Sequence, residues 1–225
     1  MISEEKNTVK SENQVSKNVF FEGIEGGLPR VMFLGNSITK HGPLASIGWH
    51  GNWGMAASAK DKDYVHICIR EIQKKYPNAE FCIVQGAAWE RSYSDFDFSS
   101  LYATARDFKP DILICCIGAN IPMDTFKHEV FIEKIGEFHK YLSCDNPDTK
   151  IIISSSFFNN AKKNDAIFEY AEKSGANLAF ISDIVQDKEN LPTGFEHEGV
   201  SVHPGDKGMQ IIAERVMEQF NKLEI

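Results

Sequence analysis

Five short runs of uninterrupted apolar residues constrain this chain more than any other feature: Val31-Met32-Phe33-Leu34, Phe81-Cys82-Ile83-Val84, Ile112 to Ile117, Ile151-Ile152-Ile153 and Leu178-Ala179-Phe180-Ile181. A strand that is apolar at every position has no face to give to water. It must be covered on both sides, as in a parallel sheet held between two layers of helix. The stretches between the runs supply those helices. Val65, Cys68, Ile69, Ile72 and Tyr76 fall at i, i+3, i+4, i+7 and i+11, and Pro77-Asn78 stops the pattern. Met209, Ile212, Ala213, Val216 and Phe220 repeat the same spacing near the end of the chain. Further helices are expected over 99–108, 125–143 and 165–173. The class is therefore α/β, with one domain over residues 18–225. Asn18 to Phe21 could add a short edge strand. Residues 1–17 mix acids and bases with almost no apolar side chains and read as a disordered tail.

A parallel sheet puts the carboxyl ends of its strands along one edge, so the residues just after each strand meet there. They are Ser37, Gln85 to Trp89, Asn120, Ser154 to Ser156 and the segment after Ser182. Ser37 follows Gly35 on a turn, where a hydroxyl serves as a local cap as readily as a nucleophile. The Gly-rich stretch from Lys40 to Lys60 carries Trp49, Trp53, His41 and His50. It reads equally as a pocket wall or as a helix packing tryptophan on the core. His203 stands just ahead of the last helix.

Composition removes several function classes. With 24 basic against 32 acidic side chains, a net charge of −8 and no basic block longer than a Lys-Lys pair, there is no track for nucleic-acid phosphates. No apolar run approaches the ~20 residues of a membrane span. The first residues lack the apolar core of a secretory signal, so the expected location is cytoplasmic. The 5 cysteines show no C-x-x-C spacing and read as buried thiols. His41, His50, His66, His128, His139 and His197 lack ligand spacing, so no metal is expected; His66 reads as a surface residue. There is no P-loop and no G-x-G-x-x-G, hence no nucleotide cofactor. Asp95 and Asp97, alternating with phenylalanines, read as a half-buried extended segment rather than a glycosidase pair.

Gly35-Asn36-Ser37 after a strand, Gly118-Ala119-Asn120 after a later strand, and His203-Pro204 before the last helix occur in an order that resembles the SGNH/GDSL hydrolase superfamily. That superfamily comprises esterases, acylhydrolases and carbohydrate deacetylases. The resemblance spans roughly Val31 to Phe220. It implies a flavodoxin-like three-layer α/β/α sandwich around a five-stranded parallel sheet, with no cofactor. It implies that Ser37 attacks an ester carbonyl, that His203 takes its proton, and that the Ser37 N–H and the Asn120 amide face the oxyanion. A further backbone donor falls by spacing on Trp89, or on Gly86 if the register slips. Three positions depart from the family pattern: Asn36 replaces an aspartate, Trp89 a glycine, and Val200 the aspartate expected three residues before His203. Glu198, five residues before His203, is the candidate orienting acid, and a backbone carbonyl is the alternative in a Ser-His dyad. Trp49, Trp53 and Trp89 offer flat faces suited to sugars, which favours a short acyl group on a carbohydrate or other polar alcohol. A thioesterase or lysophospholipase, or a silent carbohydrate-binding module, are the alternatives.

Overall fold

The computed structural model describes residues 18–224; the tail expected over residues 1–17 lies outside the described residues. Six strands form one sheet: β1 (Val19–Gly23), β2 (Arg30–Gly35), β3 (Glu80–Gln85), β4 (Ile112–Cys116), β5 (Lys150–Ser154) and β6 (Asn177–Ala179), in the order β1-β3-β2-β4-β5-β6. The strands β2 to β6 are mutually parallel. The sixth, β1, is the edge strand foreshadowed at Asn18 to Phe21 and runs antiparallel to β3, Phe20 opposite Ile83. It occupies backbone groups that would otherwise leave the β3 edge open.

Continuous apolarity is resolved by alternation. Val31, Phe33, Phe81, Ile83, Ile112, Ile114 and Ile152 face one core; Met32, Leu34, Cys82, Val84, Leu113, Cys115 and Ile153 face the other. The first core is closed by α1 (Tyr64–Lys75) and, at the end of the chain, by a helix over Asp206–Phe220. The second is closed by α2 (Ala87–Ser92), α3 (Ser99–Asp107), α4 (His128–Leu142) and α5 (Ala161–Ser174). A short α6 (Glu198–Ser201) precedes the Asp206–Phe220 helix, α7.

Several expectations shift: the last strand closes at Ala179 and leaves Phe180 exposed, and the helix expected from 125 begins at His128. Helix α5 starts four residues before 165 because the Asn160 side chain accepts from Lys163 N–H and caps it there. His66 is buried rather than at the surface: its ring bonds Asp63 (2.7 Å) and Glu22 of β1 (3.1 Å). The edge strand supplies the cover that helical periodicity alone does not show.

The strand order positions the site. From β2 the chain moves outward to β3, then returns across β2 to β4. Neighbouring connections therefore leave β2 and β4 in opposite directions and open a crevice at their carboxyl ends. Ser37 lies just past β2, and Gly118 to Asn120 just past β4.

Candidate active site

The turn after β2 is built on a close approach. A Cβ at Gly35 would lie 1.8 Å from Thr39 Oγ1, so only glycine lets the chain fold onto Thr39 here. Thr39 and Lys40 N–H then donate to the Asn36 carbonyl at 3.0 and 2.9 Å, and Met55 N–H donates to the Ser37 carbonyl at 2.8 Å. The Ser37 hydroxyl is left half-buried and facing a cavity of about 470 Å³. Asn120 and His203 line the same cavity.

Ser37 Oγ and His203 Nε2 are 2.7 Å apart, although 166 positions separate them in sequence. The imidazole is held by a helical turn: His203 N–H donates to Val200 O at 3.0 Å, and Phe158 meets the ring edge-on at 6.2 Å. Burial, and secondarily the neighbouring His41 ring, pushes His203 down to about 4, against an opposing pull from the Val200 and Gly199 carbonyls. Those carbonyls favour a proton on Nδ1, which leaves the Nε2 lone pair toward Ser37. The Nδ1 contact is loose, since the atom is buried without a well-formed hydrogen bond.

The geometry does not bring Glu198 to this imidazole. Glu198 is exposed at the first position of α6, where the helical turn points it outward, and Glu196 is exposed as well. Val200 turns the other way. It is fully buried with Trp49, Met55 and Ala56, an apolar plug at the position where the family pattern has its acid.

Trp89 and Gly86 also sit elsewhere than expected. Trp89 is fully buried in the second core, its indole stacked 5.1 Å from Phe138 and its backbone N–H facing the Tyr102 hydroxyl. Gly86 N–H is taken by the Gly35 carbonyl at 2.5 Å. Helix α2 begins immediately after Gly86, and this turns residue 89 inward. Ala88 lines the cavity instead, and its N–H has no partner among the described residues. Neither Trp49 nor Trp53 lines the cavity. The stretch 40–60 doubles back through bridges of His41 with Trp53 and Leu44 with Trp49, so the two indoles pack on each other at 5.8 Å.

Sequence reasoning missed Glu90. Fully buried, it accepts from Asn36 Nδ2 (3.1 Å), Gly118 N–H (2.5 Å) and Asn120 Nδ2 (2.6 Å). One carboxylate thus ties the turn that carries Ser37 to the loop that carries Asn120. Burial raises its pKa, and these donors counter the rise. Lys163, also buried, donates to the Gly118 carbonyl at 2.9 Å and holds the same loop from its other side. Gly118 itself has φ +115°, which a side chain would strain. The Asn36 departure now has a cause. An aspartate at 36 would set a second carboxylate against Glu90, whereas asparagine donates to it and still accepts from Ile38 N–H at 3.1 Å. A signal was available in hindsight: asparagines beside both sheet-end glycines offer the donors that a buried glutamate needs.

Away from the cavity, His128, Glu129 and Glu169 bring ligand atoms within 4.8 Å of one another, with His128 Nε2 bonded to Glu169 at 2.8 Å. Their spacing in sequence does not reveal the group.

No family model matches the sequence, and neither does any curated protein. Solved structures do match. A two-domain esterase active on acetylated mannans superposes with a TM-score of 0.57 at 14% identity, over 86% of this chain and 49% of that one. This chain thus spans about half the length of that esterase. A catalytic mutant of Axe2, an acetylxylan esterase from Geobacillus stearothermophilus, matches with a TM-score of 0.54 at 14% identity, over 90% and 97% of the two chains. A member of the lipolytic protein G-D-S-L family from Veillonella parvula matches with a TM-score of 0.51 at 13% identity, over 86% and 99%. The chain has the SGNH/GDSL hydrolase fold. At these identities the likeness carries the fold alone. In this chain Ser37, Asn120 and His203 line one crevice, and the buried Val200 stands three residues before His203.

Proposed function

We propose that this protein is a serine esterase that removes a short acyl group, acetyl by preference, from a carbohydrate or other polar alcohol through a Ser37 acyl-enzyme. The observation that carries the reading is the 2.7 Å contact between Ser37 Oγ and His203 Nε2 in a cavity that Asn120 also lines. Ser37 Oγ attacks the carbonyl carbon while its proton passes to Nε2. The carbonyl oxygen becomes an oxyanion, faced by the Ser37 N–H, the second N–H of the Asn120 amide and the Ala88 N–H. Each donor of this kind is typically worth ~10²–10³ in turnover. The tetrahedral adduct collapses, the C–O bond to the alcohol breaks, and imidazolium returns its proton to the leaving oxygen. Water then repeats the sequence on the acyl-enzyme and releases the acid.

The base is a Ser-His dyad whose imidazole has the Val200 and Gly199 carbonyls near it and no carboxylate partner among the described residues. A carbonyl dipole stabilises imidazolium less than a carboxylate does, so the dyad is a weaker base than a full triad. The short-acyl preference is supported by the lining of the crevice, where the apolar side chains of Met55, Ile47 and Phe20 stand among polar groups such as Gln85, Asn120 and Lys40. The carbohydrate side draws support from the esterases active on acetylated mannans and xylan that share the fold. Turnover of 4-nitrophenyl acetate tests the reading. Ser37→Ala and His203→Ala are each expected to lower kcat by at least about 10³ with the fold intact by circular dichroism. Unchanged turnover in either variant contradicts it.

A further inference from the structure

The chain carries 32 acidic side chains and a net charge of −8, yet among the described residues no carboxylate lines the Ser37 cavity. Its charged and titratable lining consists of Lys40, Arg91, His41 and His203. These groups differ in how far they are already matched. Lys40 is buried, donates to the Asn52 carbonyl, lies 4.6 Å over the Phe20 ring and feels Glu22 and Asp63 beneath it. His41 bonds the Gly42 carbonyl through Nδ1 at 2.6 Å. Arg91 is different. It stands exposed on the last turn of α2, one helical turn beyond Ala88, and makes no hydrogen bond or ion pair among the described residues. The nearest acid in sequence, Glu90, faces the opposite way and is consumed by Asn36, Gly118 and Asn120. The surroundings of the His203 imidazole follow the same pattern: His41 acts on it, and among the described residues no carboxylate does.

We infer that the natural ester carries an anionic substituent on its alcohol part, a carboxylate or phosphate on the sugar, and that Arg91 at the cavity mouth is the residue that receives it. This rests on the esterase reading above. A protein of net charge −8 repels an anion at long range, so retaining an unmatched guanidinium at the cavity mouth has a use only if the local sign must be reversed there. The guanidinium fork matches a carboxylate or phosphate by two parallel hydrogen bonds. The oxyanion of the reaction is a rival use for the same charge, and the two uses separate experimentally. An oxyanion role changes every ester alike, whereas a substrate-anion role changes only the charged ones.

The test measures acetate release from three matched acetylated methyl glycosides: the neutral glucoside, the glucuronoside and the glucoside 6-phosphate. Expected is a kcat/KM for at least one anionic ester roughly tenfold or more above the neutral one. That ratio shrinks as salt rises, falls toward one in Arg91→Gln, and is partly kept in Arg91→Lys. A preference confined to the glucuronoside assigns the subsite to carboxylates, and one shared by the phosphate assigns it to anions generally. A wild-type enzyme that cleaves all three at equal rates, or an Arg91→Gln variant that slows all three by the same factor, overturns the inference while leaving the esterase reading intact. Absence of cleavage of all three and of 4-nitrophenyl acetate sinks the esterase reading itself.

Discussion

Ser37 can lose its proton only to an imidazole that is uncharged, and burial keeps His203 in that form down to about pH 4. The acid limb of kcat/KM, which reports the free enzyme, is therefore expected near pH 4 rather than near the ordinary histidine value of about 6.5. A limb at 6.5 would show that the ring is hydrated and loosely placed. A second expectation concerns the acid that the sequence offered. Because Glu198 is exposed and outward, Glu198→Ala should change turnover less than about threefold; a loss rivalling that of His203→Ala would restore it as the orienter. At this scale the sequence was a partial guide. Ser37, Asn120 and His203 were legible because each is fixed by its distance from a strand or helix end. The places of Trp89 and Glu198 were not, because both lie where a helical turn begins, and one residue of rotation decides which way a side chain faces.

At the level of elements, the crevice depends on two loops from different strands keeping their distance, and Glu90 sets it. Removing the carboxylate leaves the buried Asn36 Nδ2 and Gly118 N–H, and the half-buried Asn120 Nδ2, without that acceptor. Glu90→Ala is thus expected to lower kcat for 4-nitrophenyl acetate by at least about tenfold while KM changes little, and to cost ~2–4 kcal/mol of stability. Asn36→Asp, which faces Glu90 with a second carboxylate, is expected to be destabilising, and adding Glu90→Gln should recover part of the loss. Additive effects in that double-mutant cycle would mean that the two residues do not share the interaction. The strands and most helices were legible because their periodicities are long and regular. The edge strand β1 was legible as a possibility only, since four residues carry too little pattern. The 40–60 stretch, folded by two isolated bridges, carries no period at all.

For the whole molecule, burial of uncharged histidine links stability to pH. His203 is pushed down to about 4 and His139 to about 3, so between those values and about 6.5 the unfolded chain binds protons that the folded one does not. The stability they allow is complete above about pH 6.5 and is lost as pH falls toward 4. The drop in Tm from pH 7 to 4 should be smaller in His203→Gln, which removes one share and leaves that of His139; an unchanged drop would show that His203 titrates normally. The layer architecture followed from elementary rules about apolar strands, whereas the strand order is visible only in the structure. What the sequence could not show is how the net negative surface and the acid-free cavity are divided, because that depends on which face of α2 each charge occupies. Whether Ser37 is a nucleophile activated by His203 is read from intact-mass analysis after treatment with a fluorophosphonate. One adduct is expected, mapped to Ser37, absent in Ser37→Ala and strongly slowed in His203→Ala. A folded protein that takes no adduct, or takes one elsewhere, would contradict that role of Ser37.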